Sequence, residues 1–168
     1  IDVTVSEDTI CNGSSTTLTL NEGNVFGPQS LPAGYCADGG STTTLADEQI
    51  FGFSMGSISN LNQGETCTSN YTDYTSTIAP LTVSLGQTLG FSLVTDECDG
   101  VTYYSSGMAI YIDYNRDGDW DDSGELAYTT TATTVSPNTR TGNITIPTTA
   151  NLGWTRMRVK VQESVANP

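Results

Sequence analysis

Apolar and polar positions alternate along most of this chain with a period of two. Met108, Ile110 and Ile112 are separated by smaller or polar residues, and Met157, Val159 and Val161 alternate with Arg158 and Lys160. Such a period puts successive side chains on opposite faces of an extended strand. It predicts strands at QIFGFSM, LTVSL, GFSLVT, MAIYIDY, ELAYTT, NITIP and TRMRVKVQ, with turn-rich pieces between them. Two shorter runs, IDVTV and STTLTLN, flank Cys11, and the Gly/Pro-rich residues 21–34 read as a linker or irregular connection. No amphipathic helix stands out. The expected fold is all-β: a β-sandwich, jelly-roll or immunoglobulin-like, of about seven to nine strands. Residues 1–31 form an N-terminal strand segment and linker, and residues 32–168 the sandwich domain.

Composition supports that reading and removes several functions. About a quarter of the residues are Ser or Thr, common in all-β chains alongside Val, Ile and Tyr. The 168 residues suffice to bury a core. A net charge of −14 leaves little to meet phosphates, which argues against nucleic acid and anionic membranes. The sequence has no histidine, so neither a Ser-His-Asp nor a Cys-His mechanism can be assembled. A Ser-Lys pair would need Lys160, which the alternation of β-positions places opposite the apolar face. No apolar run is long enough for a membrane helix.

The four cysteines, Cys11, Cys36, Cys67 and Cys98, contain no CxxC pair. Two disulfides in a secreted protein are the expectation, with free buried thiols as the alternative. Of the three pairings, Cys11–Cys36 and Cys67–Cys98 are favoured. The first would tie the N-terminal segment to the domain entrance, and the second would staple the NYTDYTS region to the end of GFSLVTDEC. The chain starts without Met and reads as a processed or excised segment.

The chemistry concentrates in Asp113–Glu125, DYNRDGDWDDSGE. Asp113, Asn115, Asp117, Asp119 and Asp121 recur at every second position, and Gly118 permits a sharp bend at the sixth. The run holds six of the nineteen acidic residues, which would repel one another unless neutralised. This spacing is how a loop wraps a hard cation, and Ca2+ is the expected cofactor. Asp113, Asn115 and Asp117 are expected to bind through side chains, Asp119 through its carbonyl, and Glu125 through one or both oxygens. Asp121 or a water completes the shell. A solvated acidic turn is the alternative. The closing carboxylate comes one residue later than in an EF-hand, where Gly124 stands, and the flanks are strands rather than helices, so a structural ion is expected. Asp73 in NYTDYTS reads either as a second calcium ligand or, better, as a turn cap. Asp96, Glu97 and Asp99 read as an exposed turn beside Cys98.

From Tyr35 onward, five ordered blocks resemble the GEVED domain of secreted and surface proteins, commonest in Bacteroidota-type bacteria. They are Tyr35-Cys36 with GSISN (Gly56–Asn60), NYTDYTS (Asn70–Ser76), LTVSLGQTLGFSL (Leu81–Leu93), IYIDYNRDGDWDDSGE, and ITIPTTANLGWTRMRVKV (Ile144–Val161). The motif that names the family would follow the last strand, beyond Pro168. Residues 1–20 resemble the end of an immunoglobulin-like surface repeat. The resemblance implies an extracellular β-sandwich more than an activity.

The expected function is therefore a non-catalytic, calcium-stabilised extracellular module with a structural or adhesive role, secreted or at the cell surface, and able to serve as a subunit of a filament or array. Its partners would be neighbouring surface modules or further copies of itself. IDVTV reads as a strand with no obvious partner of its own, able to complete a neighbour by β-strand addition, with packing of residues 1–20 on their own domain as the alternative. The alternative is a carbohydrate-binding accessory module, for which Tyr103, Tyr104, Trp120 and Trp154 would supply a stacking platform for a glycan.

Overall fold

The computed structural model describes residues 3–5, 18–20, 25–26, 30–35, 48–61, 71–98, 100, 102–132 and 138–163. Ten strands and no helix occur among them. They are β1 (Val3–Val5), β2 (Leu18–Leu20), β3 (Val25–Phe26), β4 (Glu48–Met55), β5 (Ile58–Leu61), β6 (Thr88–Glu97), β7 (Ser106–Ile112), β8 (Leu126–Thr129), β9 (Asn138–Thr145) and β10 (Met157–Glu163). Seven of them make two antiparallel sheets, ordered β5-β4-β6-β9 and β10-β7-β8. The expected all-β sandwich is the architecture seen.

Period-two patterning explains how the sheets face each other. Phe91, Leu93 and Thr95 are the buried positions of β6, alternating with half-buried neighbours. With Phe53 and Met55 of β4, and Ile144 and Ile146 at the end of β9, they form one wall of the core. Met108, Ile110 and Ile112 of β7 form the other. β7 is buried almost throughout because it is the central strand of its sheet. On β10, Met157, Val159 and Val161 pack against this core, as their alternation requires. Leu93 and Ile110 are 0% exposed, and burying each contributes about 1.5–3 kcal/mol. Phe91 and Tyr128 join the sheets edge to face, with ring centroids 4.6 Å apart. Phe91 also covers its cross-strand partner Gly142, where a Cβ would lie 2.8 Å from the ring. Thr95, buried and polar, has its hydroxyl 2.9 Å from that of Tyr103.

Three sequence expectations need correction. LTVSL is not a strand. The side chain of Gln87 accepts a hydrogen bond from Ser84 N (2.8 Å) while Gln87 N donates to Ser84 O (3.1 Å), folding this stretch into a turn. Only Leu81 reaches the core; Val83 and Leu85 are exposed. Second, IDVTV does have a partner, since β1 pairs antiparallel with β2 of its own chain and β2 with β3. An extended strand therefore lies inside the segment read as a linker. Third, Asp96 and Glu97 are half-buried residues of β6, with Glu97 opposite Glu48 of β4, rather than an exposed turn. Asp99 lies outside the described residues, as do Cys11, Cys36 and Cys67. Of the favoured cysteine pairing only Cys98, just after β6, is described, and its expected partner Cys67 is not.

Candidate metal centre

Residues 113–125 connect β7 to β8, and backbone bonds close the loop at its base. Ile112 N donates to Glu125 O (2.9 Å), and Asp113 N donates to Arg156 O beside β10 (3.3 Å). Within the loop the side chains order the backbone. Asn115 Oδ1 accepts from Asp117 N (3.0 Å), Asp117 Oδ1 from Asp119 N (3.2 Å), and Asp119 Oδ1 from Asp121 N (3.0 Å). The alternation read from the sequence is thus a chain of Asx turns, each short polar side chain capping the amide two residues ahead. Three left-handed positions, Arg116 (φ 63°), Gly118 (φ 97°) and Gly124 (φ 100°), bend the loop back on itself.

Asp113 is the inner anchor. It is 0% exposed, and its Oδ1 accepts from Arg116 N. Its Oδ2 accepts from Gly118 N (3.1 Å) and from the hydroxyl of Tyr35 (2.5 Å). Those partners replace the water that a buried carboxylate has lost. Glu125 closes the other end at 2% exposure. Its Oε1 accepts from Tyr114 N (3.0 Å) and Asn115 N (3.5 Å), whereas Oε2 is buried with no hydrogen-bond partner. Burial, with the charges of Asp113 and Asp117 adding to it, pushes the Glu125 carboxyl above the usual range.

The exposed rim of the loop brings Asp117, Asp119 and Asp122 together, with one carboxylate oxygen from each inside a 4.8 Å group. Asn115 Nδ2 bridges the group, donating to Asp117 Oδ2 (2.9 Å) and to Asp122 Oδ2. The Asn115 amide holds the Asp117 carboxyl low, while the shared hydrogen bond with Asp117 raises that of Asp122. Of the residues singled out in the sequence, Asn115, Asp117 and Asp119 meet at the rim, where Asp122 rather than Asp121 joins them, while Asp113 and Glu125 lie buried at the base of the loop. The alternation breaks where the chain turns, with Asp122 O accepting from Glu125 N (3.2 Å). The signal available for Asp122 was its position three residues before the closing Glu125.

Around the loop's Trp120, rings and guanidinium groups pack in a ladder. Trp120 lies between Tyr35 (centroids 4.9 Å apart) and Arg158, whose Cζ is 4.0 Å from the Trp120 ring. Arg156 lies 5.0 Å over Tyr35 and 3.6 Å from Asp73 Oδ2. Asp73 takes the capping role, as Oδ1 accepts from Thr75 N (2.9 Å) and Thr75 Oγ1 (2.6 Å). Those bonds, more than Arg156, keep its carboxyl low. Of the four aromatics considered for a stacking platform, Tyr103 and Trp120 are half-buried. Tyr104 (53% exposed) precedes β7 and Trp154 (46%) precedes β10. Since β7 and β10 run antiparallel, these two rings sit at opposite ends of the sheet and make no row.

No curated protein and no solved structure matches the chain. The model of the GEVED domain matches residues 107–168, and the stretch that holds the loop and its two flanking strands is therefore similar to GEVED domains, as the sequence resemblance anticipated.

Proposed function

We propose that the chain is a non-catalytic extracellular module in which a bound calcium ion ties the Asp113–Glu125 loop to the sandwich, in a structural or adhesive role at the cell surface. The observation that carries this reading is Glu125. A carboxylate oxygen buried at the base of an acidic loop, with no donor of its own, is costly unless a cation shares the site. The donor set fits a hard ion: the oxygens of Asp113, Asn115, Asp117, Asp119, Asp122 and Glu125 offer the ligand class that calcium takes, without nitrogen or sulfur. When bound, the ion supplies positive charge where the chain has concentrated negative charge.

The lack of any histidine, together with the ordered and structural use of the acids, supports a non-catalytic role. Partners are neighbouring surface modules or further copies of the chain. Val83, Leu85 and Leu152, all exposed and apolar, line one shared pocket beside Ile146, which suits protein contact better than a glycan. β1 pairs with β2 as the outer strand of its sheet, so an assembly through it would use its other edge.

The test is calorimetric titration with Ca2+, coupled to melting with and without chelator. A single site near 10⁻⁴–10⁻³ M is expected, with the melting temperature falling on chelation. An unchanged melting curve together with no heat of binding would refute the site.

A further inference from the structure

We propose that Tyr35, carried on the strap of residues 30–35, is a positioning residue of the cation loop, holding Asp113 so that Oδ1 remains the oxygen directed to the ion. This inference rests on the reading of the loop as a calcium site and names a residue 78 positions away from the loop's first ligand.

The strap meets the loop at four places. Arg116 Nη2 donates to Ser30 O (2.9 Å), and Arg116 Nε donates to Trp154 O (3.0 Å), so one guanidinium ties both flanks to the loop. Gly118 passes so near Ala33 O that a Cβ there would come within 2.1 Å of it. The Tyr35 ring packs against Trp120 of the loop at a tilt of 37°, and its hydroxyl donates to Asp113 Oδ2. That hydroxyl is also a junction. It lies 3.1 Å from Thr155 Oγ1 and accepts from Arg156 N (3.3 Å), while Thr155 Oγ1 donates to Asp113 O (2.6 Å). Three stretches distant in sequence therefore converge on one residue, Asp113, with Tyr35 on its carboxylate and Thr155 on its backbone carbonyl.

Lone-pair accounting gives the consequence. Oδ2 of Asp113 is saturated by Tyr35 and Gly118, whereas Oδ1 has a single donor, Arg116 N. Fixing Oδ2 fixes the rotation of the carboxylate and leaves one lone pair on Oδ1 for a metal. Outer partners that orient a ligand in this way are typically worth 10–100-fold in metal affinity.

The experiment measures Ca2+ affinity of the whole chain by calorimetry and by competition against terbium luminescence, for wild type and Tyr35→Phe. The substitution keeps the ring on Trp120 and removes only the hydroxyl. A dissociation constant raised about 10-fold is expected. A merely structural hydroxyl would lower the melting temperature equally with and without calcium and leave the constant unmoved, which would overturn the proposal. If Tyr35→Phe does not fold, Thr155→Val decides, with an expected weakening of about 3-fold and an unchanged constant as the refutation. Failure of the wild type to bind either ion would sink the calcium reading itself. Wild-type binding with equal affinity in both variants would sink the role of Tyr35 alone.

Discussion

Gly118 runs beneath the carbonyl of Ala33, so close that no side chain fits between them. Its φ of 97° is a left-handed value, and a built Cβ would come 2.1 Å from Ala33 O and 3.0 Å from its carbon. The sharp bend at the sixth loop position and the approach of the 30–35 strap thus depend on the same residue, for two separate reasons.

Gly118→Ala is expected to cost about 3 kcal/mol, from positive φ and the backbone collision together. Gly124 supplies the control. It has φ of 100° but nothing within 4 Å of its Cβ position, so Gly124→Ala should cost only about 1 kcal/mol. Melting both variants in chelator checks the difference. Equal losses would mean that the strap does not press on the loop.

Glu125 leads to a pH prediction. Burial holds its folded-state carboxyl above the ordinary value of 4.5, so the folded protein binds more protons than the unfolded chain in the window that opens at 4.5 and extends upward. Calcium-free stability therefore rises as pH falls through that window. The raised Asp122 carboxyl acts in the same direction from 3.8 upward, whereas the lowered Asp117 carboxyl acts the other way and only below 3.8. Glu125→Gln should raise the calcium-free melting temperature at pH 7, flatten its pH dependence and abolish the upward shift on adding Ca2+. Melting curves from pH 4 to 8, with and without chelator, make the measurement.

The correction at LTVSL can be tested in the core. Leu93→Ala is expected to destabilise by about 2–5 kcal/mol, because the side chain is 0% exposed between the sheets. Leu85→Ala should change stability by no more than about 0.5 kcal/mol, since Leu85 is 42% exposed in a turn. Urea denaturation of the two variants separates a turn from a core strand at residues 81–85.

The cysteine pairing is tested by peptide mapping without reduction. Cys11–Cys36 and Cys67–Cys98 are expected, and a Cys36–Cys67 link would refute them. Reduction should cost roughly 2–4 kcal/mol for each bridge that closes a loop of this length.

Much of the sandwich was legible because strand periodicity is a local property. Met108, Ile110 and Ile112 announce which face of β7 is buried, and Met157, Val159 and Val161 do the same for β10. The Asx turns of the acidic loop were legible for the same reason: they bond residues only two apart, so spacing alone encodes them. LTVSL carried the same alternation and was misread, because a local pattern cannot tell whether the neighbouring strand offers its backbone to residues 81–85 or, as here, Ile146 bonds instead to Gly86 and Gln87. The partner of β1, the covering of Gly142 by Phe91, and the entry of Asp122 in place of Asp121 all depend on where the chain returns. The same holds most clearly for Asp113. Its sequence position marks it as an acid in an acidic run, but only the folded chain brings Tyr35 and Thr155 to it from 78 and 42 residues away. Local hydrogen bonds and periodicity are written in neighbouring residues, whereas the groups that satisfy a buried charge arrive from any distance along the chain, and only packing selects them.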